Sequence, residues 1–253
     1  MNIPQNKSVN FRDLGQGLDY QNTWDEQEKA LQEIVDLKLT RRRLERLIDE
    51  QGPPEDFPHS SELVTPNHLW FLEHPHVYTL GKSGDESNLL ANAAQLQSIE
   101  ATYVKTNRGG DITYHGPGQL VGYPILDLEN FRRDINWYLR SLEEVIINVL
   151  EEYGLRGQRS HGETGVWLDT GTPFARKICA MGVKASHWVS MHGFALNVNT
   201  DLRYFEYIIP CGIKDKQVTS LQRELDRDVD MEEVKAKVKA HFEQVFDCEL
   251  STE

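Results

Sequence analysis

Twelve consecutive residues, Arg108 to Gln119 (RGGDITYHGPGQ), hold four glycines and a proline and run straight into the apolar stretch Leu120 to Leu128. No other junction constrains the chain as tightly. The apolar stretch has the length and composition of a buried strand. Glycine permits positive-φ backbone and lets a ligand come close to the main chain. A polar, glycine-rich loop at the start of such a strand is either a surface turn or a binding loop on a rigid support. Arg108, Tyr114, His115 and Gln119 supply groups that can hold or shape a ligand, which favours the binding loop.

The pattern around that junction alternates strands with helices. Thr23 with Glu26 three residues on fits a capping box. The helix that follows takes its apolar stripe from Ala30, Leu31, Ile34 and Leu37, with Val35 beside them, and carries Arg41, Arg42, Arg43 and Arg46 towards a solvated end. Gln51 to Ser61, with Gly52, Pro53, Pro54 and Pro58, reads as a loop. His68 to Leu72, His76 to Leu80 and Thr102 to Thr106 read as short strands. Asp134 should cap the clearest helix, in which Ile135, Tyr138, Leu139, Leu142, Val145, Ile146, Val149, Leu150 and Tyr153 recur at helical steps, with Gly154 ending it. Ala175 to Val183 and Val189 to Asn199 read as strands joined by a turn over Lys184 to His187, and Asp230 to Phe246 as a final helix. The expected fold class is α/β (α+β), with one mixed β-sheet flanked by helices in a single domain over residues 1–253. An extended helix and loop about 23–64 and a C-terminal helix about 230–246 belong to it.

The composition excludes several function classes. No apolar run approaches the roughly 20 residues of a membrane span, and the first residues lack the apolar core of a signal peptide, so a cytoplasmic protein without membrane partners is expected. Three cysteines, Cys179, Cys211 and Cys248, with no C-x-x-C pair, argue against a disulfide framework or a four-cysteine zinc site. The triplet His74, Pro75, His76 lacks a third metal ligand nearby, so no metal and no cofactor are expected. A formal net charge of −13 argues against nucleic acid as a partner. An acidic partner would need a local basic patch, for which Arg108, Arg132, Arg133, Arg140, Arg156, Arg159 and Lys184 are candidates, each equally well a solvated charge.

Two residues stand out for chemistry. Lys177 lies in the middle of an apolar strand, where alternation places it on one face with Cys179 and Met181. Buried lysine is rare without a partner, and a snorkelling amine is the plain alternative. Cys211 sits in a Pro-Cys-Gly corner after Ile208 and Ile209. That corner can hold a thiol at the mouth of a cleft, or a small core cysteine. A hydrolase pairing Cys211 with His115 or His192 has no recognisable local signature.

The stretch RGGDITYHGPGQLVGYPILDL, together with EHPHVYTLG over Glu73 to Gly81, resembles the lipoate-biosynthesis octanoyltransferases, whose fold is similar to that of biotin- and lipoate-protein ligases. The resemblance extends over about Glu73 to Leu221. It implies transfer of octanoyl from octanoyl-acyl carrier protein to a lysine of lipoyl domains, those of 2-oxoacid dehydrogenases and the glycine cleavage H protein. It also implies a catalytic pair, Cys211 and Lys177, in which the lysine's ammonium lowers the thiol's pKa and, once neutral, accepts a proton from the attacking amine. The substrate-contacting positions it implies are Arg108, Gly109, Gly110, Asp111, Ile112, Thr113, Tyr114 and His115, then Ala180, Met181 and Gly182, and Gly193, Phe194 and Ala195. An ATP-dependent lipoate- or biotin-protein ligase would use the strand lysine without the cysteine, and a non-catalytic carrier-binding protein would need neither. The Gly-Arg-Gly-Arg loop of the biotin enzymes is absent. The stretch 35–64 has no counterpart in the resemblance.

Overall fold

Strict alternation on three adjacent strands builds a sheet that is buried on both faces. Leu69 and Phe71 of β2 (His68–Glu73), Leu120 of β6 (Gln119–Ile125) and Phe194 and Leu196 of β9 (Val189–Asn197) face one side; Trp70, Leu72, Val121, Tyr123, Ile125, Val189, Met191 and Ala195 face the other. The computed structural model describes residues 5–52, 63–209 and 217–252. The proline-rich part of the expected loop, and the segment 210–216 with Cys211, lie outside the described residues.

The large sheet runs β10-β8-β9-β6-β2-β1-β11, with β7 also paired to β8. Here β1 is Ser8–Gln16, β7 Val166–Leu168, β8 Arg176–Ser186, β10 Gln217–Val218 and β11 Glu249–Thr252. Pairing is mixed: β1 lies parallel to β2 and β11, while β2, β6, β9 and β8 alternate in direction. A second, three-stranded sheet, β4-β3-β5, is built from Val77–Leu80 (β3), Thr102–Lys105 (β4) and Ile112–His115 (β5). The expected mixed sheet flanked by helices is what forms.

One face of the large sheet is covered by α3 (Ile135–Glu152) and α5 (Met231–Phe246). Tyr138, Leu142, Val145, Ile146, Val149 and Leu150 of α3 join Val234, Val238, Phe242 and Phe246 of α5 in one core, which draws on residues from both sides of Gly154. Asp134 caps α3 as expected, its side chain accepting from the Trp137 N–H at 3.0 Å. Short helices α2 (Ala93–Ser98) and α4 (Leu221–Leu225) complete the set. Among the described residues no helix is long and apolar enough to cross a membrane.

The other face is covered by α1, which runs from Tyr20 to Gln51. Its cap is Asp19, not Thr23: the Asp19 carboxylate accepts from the Asn22 N–H at 2.9 Å and starts the helix one turn early. Thr23 then becomes an interior residue whose hydroxyl donates back to the Asp19 carbonyl at 2.8 Å. Ala30, Leu31, Ile34 and Val35 are buried as expected, but Lys38 takes the next inward position while Leu37 stays half-exposed. Lys38 bonds Asp127 just past β6, which also accepts from Thr65 at 2.8 Å. Arg41 and Arg42, far from the helix end, pair with Glu129 at 3.4 and 3.0 Å. The strand β8 continues through Ser186, so the hairpin turn is only His187 and Trp188, with φ of 52° and 67°. Two successive left-handed residues match the twist of the flanking strands.

Candidate active site

Between the α1 face of the large sheet and the small sheet lies a cavity of about 560 Å³ of empty space, counting its open mouth. Small residues make its floor. Ala180 pairs with Ala195 and Gly182 with Gly193 across β8 and β9, so four positions in a row project little or nothing from the sheet. A Cβ on Gly182 would stand 2.8 Å from the Gly109 carbonyl oxygen, because the glycine loop lies directly on this strand. Gly109 N–H donates to the Val183 carbonyl at 2.9 Å. Arg108, Gly110, Asp111, Ile112, Thr113 and His115 form the facing wall.

A buried polar network closes the cavity. Arg108 donates to the Thr79 carbonyl at 2.6 Å and to the Thr79 hydroxyl at 2.9 Å. Gln119 donates through Nε2 to Asn197 at 2.9 Å and to the Tyr114 carbonyl at 3.2 Å, so its Oε1 accepts from His115 Nδ1 at 2.8 Å. The Leu18 carbonyl accepts from His74 Nδ1 at 2.7 Å, which leaves His74 Nε2 to accept from the Tyr123 hydroxyl at 2.7 Å. Tyr20, the first residue of α1, stacks on His115 with ring centroids 5.8 Å apart.

Burial sets the charge state of this network. It pushes His74 down to about 4 and His192 down to about 3, the latter helped by Arg108. Burial, with His74 and Arg108 nearby, holds His115 well below the usual histidine range. It raises Tyr20 to about 12 and holds Tyr123 well above the usual tyrosine range. At neutral pH the histidines and tyrosines are therefore neutral, and Arg108 and Asp111 are the other ionisable side chains in the cavity wall.

A strand irregularity decides where Lys177 goes. β7 and β8 slip register between Val166↔Cys179 and Trp167↔Lys177, so Ile178 is the extra residue of a bulge. Ile178 and Cys179 both enter the α3-side core. Lys177 turns to the opposite face, the one that carries Ala180, and sets its Nζ 4.7 Å from the centroid of the Trp167 ring. The expected sharing of a face by Lys177, Cys179 and Met181 is thus corrected: only Cys179 and Met181 keep it. Cys179 is fully buried, and that burial drives its thiol pKa far up, which disfavours the thiolate a nucleophile needs.

Residues 57–243 match the family model for the lipoyl protein ligase A/B catalytic domain. The chain belongs to that family. It is 58% identical over 97% of its length to an octanoyltransferase of Christiangramia forsetii, covering 98% of that protein. It is 60% identical over 96% of its length to an octanoyltransferase of Flavobacterium psychrophilum, again covering 98% of it. Among solved structures it resembles lipoate-protein ligase A bound with ATP (TM-score 0.64, 15% identity, 98% of this chain and 88% of that one). It also resembles a bipartite lipoate protein ligase of Thermoplasma acidophilum (TM-score 0.60, 19% identity, 74% of each chain). At those identities the likeness is one of fold.

Against the family's expected positions, twelve of the fourteen substrate-contacting residues line the cavity. The two exceptions have local causes. Gly109 is turned onto β8, and Tyr114, by strand alternation on β5, faces the small sheet's own core, where it stacks on Tyr204 at 5.0 Å and bonds His76 at 2.7 Å. His74 and His76 consequently belong to different clusters, on either side of Pro75. Tyr20, Tyr123 and Thr164 also line the cavity without having been singled out from sequence. Tyr123 carried a signal, since it shares a strand face with Val121 and Ile125 two residues away on either side. Tyr20 and Thr164 carried none. Most of the candidate basic patch is locally compensated: Arg132, Arg133, Arg140, Arg159 and Lys184 each have a carboxylate within 3.6 Å.

Proposed function

We propose that this chain transfers an octanoyl group from octanoyl-acyl carrier protein to a lysine of lipoyl domains, through a thioester on Cys211. The single observation that carries the reading is near full-length identity of 58 and 60% to two proteins named octanoyltransferase. The cavity supports it physically: the small floor residues leave room for an extended alkyl chain. At about 0.8 kcal/mol per buried CH₂, an octanoyl tail would gain roughly 4–6 kcal/mol there.

In the first step the Cys211 thiolate attacks the donor thioester carbon. The bond to the carrier's sulfur breaks, and that sulfur leaves with the electron pair and takes a proton from the Lys177 ammonium, which leaves Lys177 neutral. In the second step the lipoyl lysine's amine attacks the acyl-enzyme, the carbon–sulfur bond to Cys211 breaks, and the amine's surplus proton passes to Lys177. The Trp167 ring beside Lys177 favours its ammonium form before acylation. Acylation removes the thiolate's negative charge and so eases loss of the lysine's proton.

Mass spectrometry after incubation with octanoyl-acyl carrier protein, without ATP, tests the reading. An octanoyl adduct on Cys211 is expected; no adduct, or one that needs ATP, overturns it. Lys177→Arg keeps the positive charge but cannot deprotonate. It should form acyl-Cys211 and pass the group on at least about 100-fold more slowly, the scale of a lost general base. Normal transfer from the pre-acylated variant would remove Lys177 as the base.

A further inference from the structure

The segment that carries Cys211 joins two tied ends of chain. At the far end, Gln217 and Val218 of β10 pair in parallel with Arg176 and Lys177, and Thr219 N–H donates to the Lys177 carbonyl at 2.9 Å. At the near end, Ile209 N–H donates to the Asn88 carbonyl at 2.8 Å and Leu90 N–H to the Tyr207 carbonyl at 2.9 Å, with Leu89 and Ile208 bridged antiparallel between them. Covalent reach decides which end governs the thiol. Ile209 precedes Cys211 by two residues, a span of at most about 7 Å, whereas Gln217 follows it by six, a span of up to about 20 Å.

The near end is held by a turn with little packing of its own. None of the residues Glu86–Asn88 is buried. Asp85 caps the turn, accepting from the Ser87 N–H at 2.9 Å. The chain just before it is tied to the glycine loop: Lys82 N–H donates to the Arg108 carbonyl at 2.9 Å and Ser83 N–H to the Gly110 carbonyl at 3.2 Å. The last tie is made by a side chain. Asn88 Nδ2 donates to Asp111 Oδ2 at 2.7 Å, the orientation that a carboxylate, which only accepts, requires. Asp111 Oδ1 accepts from the Ile112 N–H at 2.7 Å, and a Cβ on Gly84 would stand 2.6 Å from that oxygen, so the carboxylate is fixed on both sides.

Asp111 lines the cavity. Asn88 therefore holds the cavity wall with its side chain and the chain entering the Cys211 corner with its carbonyl. We propose that Asn88 is a positioning residue for the reaction, tying the entry to the Cys211 corner to the acyl-contacting glycine loop. The proposal rests on the octanoyl-transfer reading and deepens it. A nucleophile displaced by about 1 Å can lose about 100-fold in rate, so a tie two residues away matters to the chemistry without touching a reacting atom. Ile208 is buried in the small sheet's core with Leu89 packed against it, which keeps the two chains together when the Asn88 side chain is removed.

The test uses the full chain and two readouts, both resolved to Cys211 by peptide mass mapping. One is single-turnover formation of octanoyl-Cys211 from octanoyl-acyl carrier protein without acceptor. The other is the pH midpoint of Cys211 alkylation by iodoacetamide, which a tie that serves stability alone would not move. The wild-type midpoint should lie about 1–3 pH units below the ordinary value of about 8.5, through the Lys177 cation. Asn88→Ala should slow acylation by about 10-fold and raise the midpoint by at least about half a unit, as the thiol drifts from that cation. Asn88→Asp sets two carboxylates against each other and should slow acylation by about 100-fold. Adding Asp111→Asn restores donor and acceptor in reverse order at the wild-type net charge, and should recover at least about 10-fold of that loss. This exchange keeps the test decisive where Asn88→Ala does not fold. An Asn88→Ala enzyme with unchanged rate and midpoint, or an Asn88→Asp loss that Asp111→Asn does not relieve, overturns the proposal. Wild-type protein that takes no octanoyl group on Cys211 overturns the octanoyl reading itself, whereas normal wild-type acylation with unmoved variants overturns the tie alone.

Discussion

The two faces of the large sheet are equally buried and chemically opposite. The α3–α5 face is a continuous apolar core, from Val9 and Phe11 on β1 to Phe242 and Phe246 on α5. The α1 face has a smaller apolar cluster and then Gln27, Lys38, His74, His115, Asp127 and His192, all nearly sealed from water. Polar groups survive there because each holds another, and breaking one link strands its partner. The same strands serve both faces. What the difference teaches is that stability and chemistry were separated by strand parity, and that the site stands where parity is broken, at the Ile178 bulge and at left-handed His192.

The sharpest way to break the comparison uses the two thiols. Cys211→Ser should abolish acyl-enzyme formation and lower turnover by at least about 1,000-fold, the cost of losing a nucleophile that works with its neighbours as a unit. Cys179→Ser, on the apolar face, should keep most activity per folded molecule and lose stability instead, since it buries a hydroxyl among Ile178, Val166 and Leu196. Acyl-enzyme trapped on Cys179, read by peptide mass mapping, would erase the distinction.

Much of this division could be read from sequence. The 108–119 junction located the cavity wall, and the regular steps of α3 located the apolar core, because glycine content and helical period act locally. Lys177 and Cys211 stand out in the sequence itself, but their pairing comes only through the resemblance, and nothing in the strand's letters announces the bulge that turns Lys177 away from Cys179. A bulge is a property of pairing with β7, so it needs the partner strand. Lys38 was missed for a similar reason: a lysine reads as solvent-facing until Asp127, 89 residues away, is placed against it. Tyr20 escapes the sequence because the Thr23–Glu26 capping box marks a helix start one turn later than the Asp19 cap.

A second pair of substitutions measures how each face is held. Lys38→Ala would leave Asp127 fully buried with Thr65 but without its cation, at a cost of about 3–5 kcal/mol. Leu142→Ala on the apolar face should cost about 2–5 kcal/mol by opening a cavity. Denaturant unfolding checks both. The contrast lies in rescue: Asp127→Asn, which removes the stranded carboxylate, should recover part of the Lys38→Ala loss, and none of the Leu142→Ala loss. An equal response of the two variants to Asp127→Asn would mean that Asp127 is not stranded as a charge.

Acid should then weaken the α1 face first. His74 and His192 are held down to about 4 and about 3 by burial, against about 6.5 in the unfolded chain. Between these values the unfolded chain binds protons that the folded chain refuses. Stability from each histidine is therefore complete above about pH 6.5 and falls with pH, by about 1.4 kcal/mol per unit, until the folded value is reached. The window from pH 6.5 to 5 lies above the range in which carboxylates protonate, so urea midpoints measured there isolate the histidines. His74→Gln should flatten the slope in that window by roughly one proton's share. An unchanged slope would show that His74 is protonated in the folded protein.

The smallest effect makes the finest comparison, because the two long helices that cover the two faces start with the same residue type. Asp19 caps α1 and accepts from Asn22 at 2.9 Å; Asp134 caps α3 and accepts from Trp137 at 3.0 Å. Replacing either with Ala removes one side-chain acceptor from an exposed helix start and should cost about 1 kcal/mol. Thermal unfolding should thus rank the two variants together. Activity should not. The turn that Asp19 holds begins with Tyr20, which lines the cavity and stacks on His115, so fraying there disturbs the site directly. The turn that Asp134 holds packs on the apolar face and supplies none of the described residues that line the cavity. Asp19→Ala should therefore lower kcat/KM for the octanoyl donor by about 3- to 10-fold, the fraction of a kcal/mol to just over one that a loosened wall would cost. Asp134→Ala should leave it within about twofold. If both variants lose activity equally at a temperature well below their melting, then Tyr20 is not held by its cap and the division between the faces does not extend to their edges.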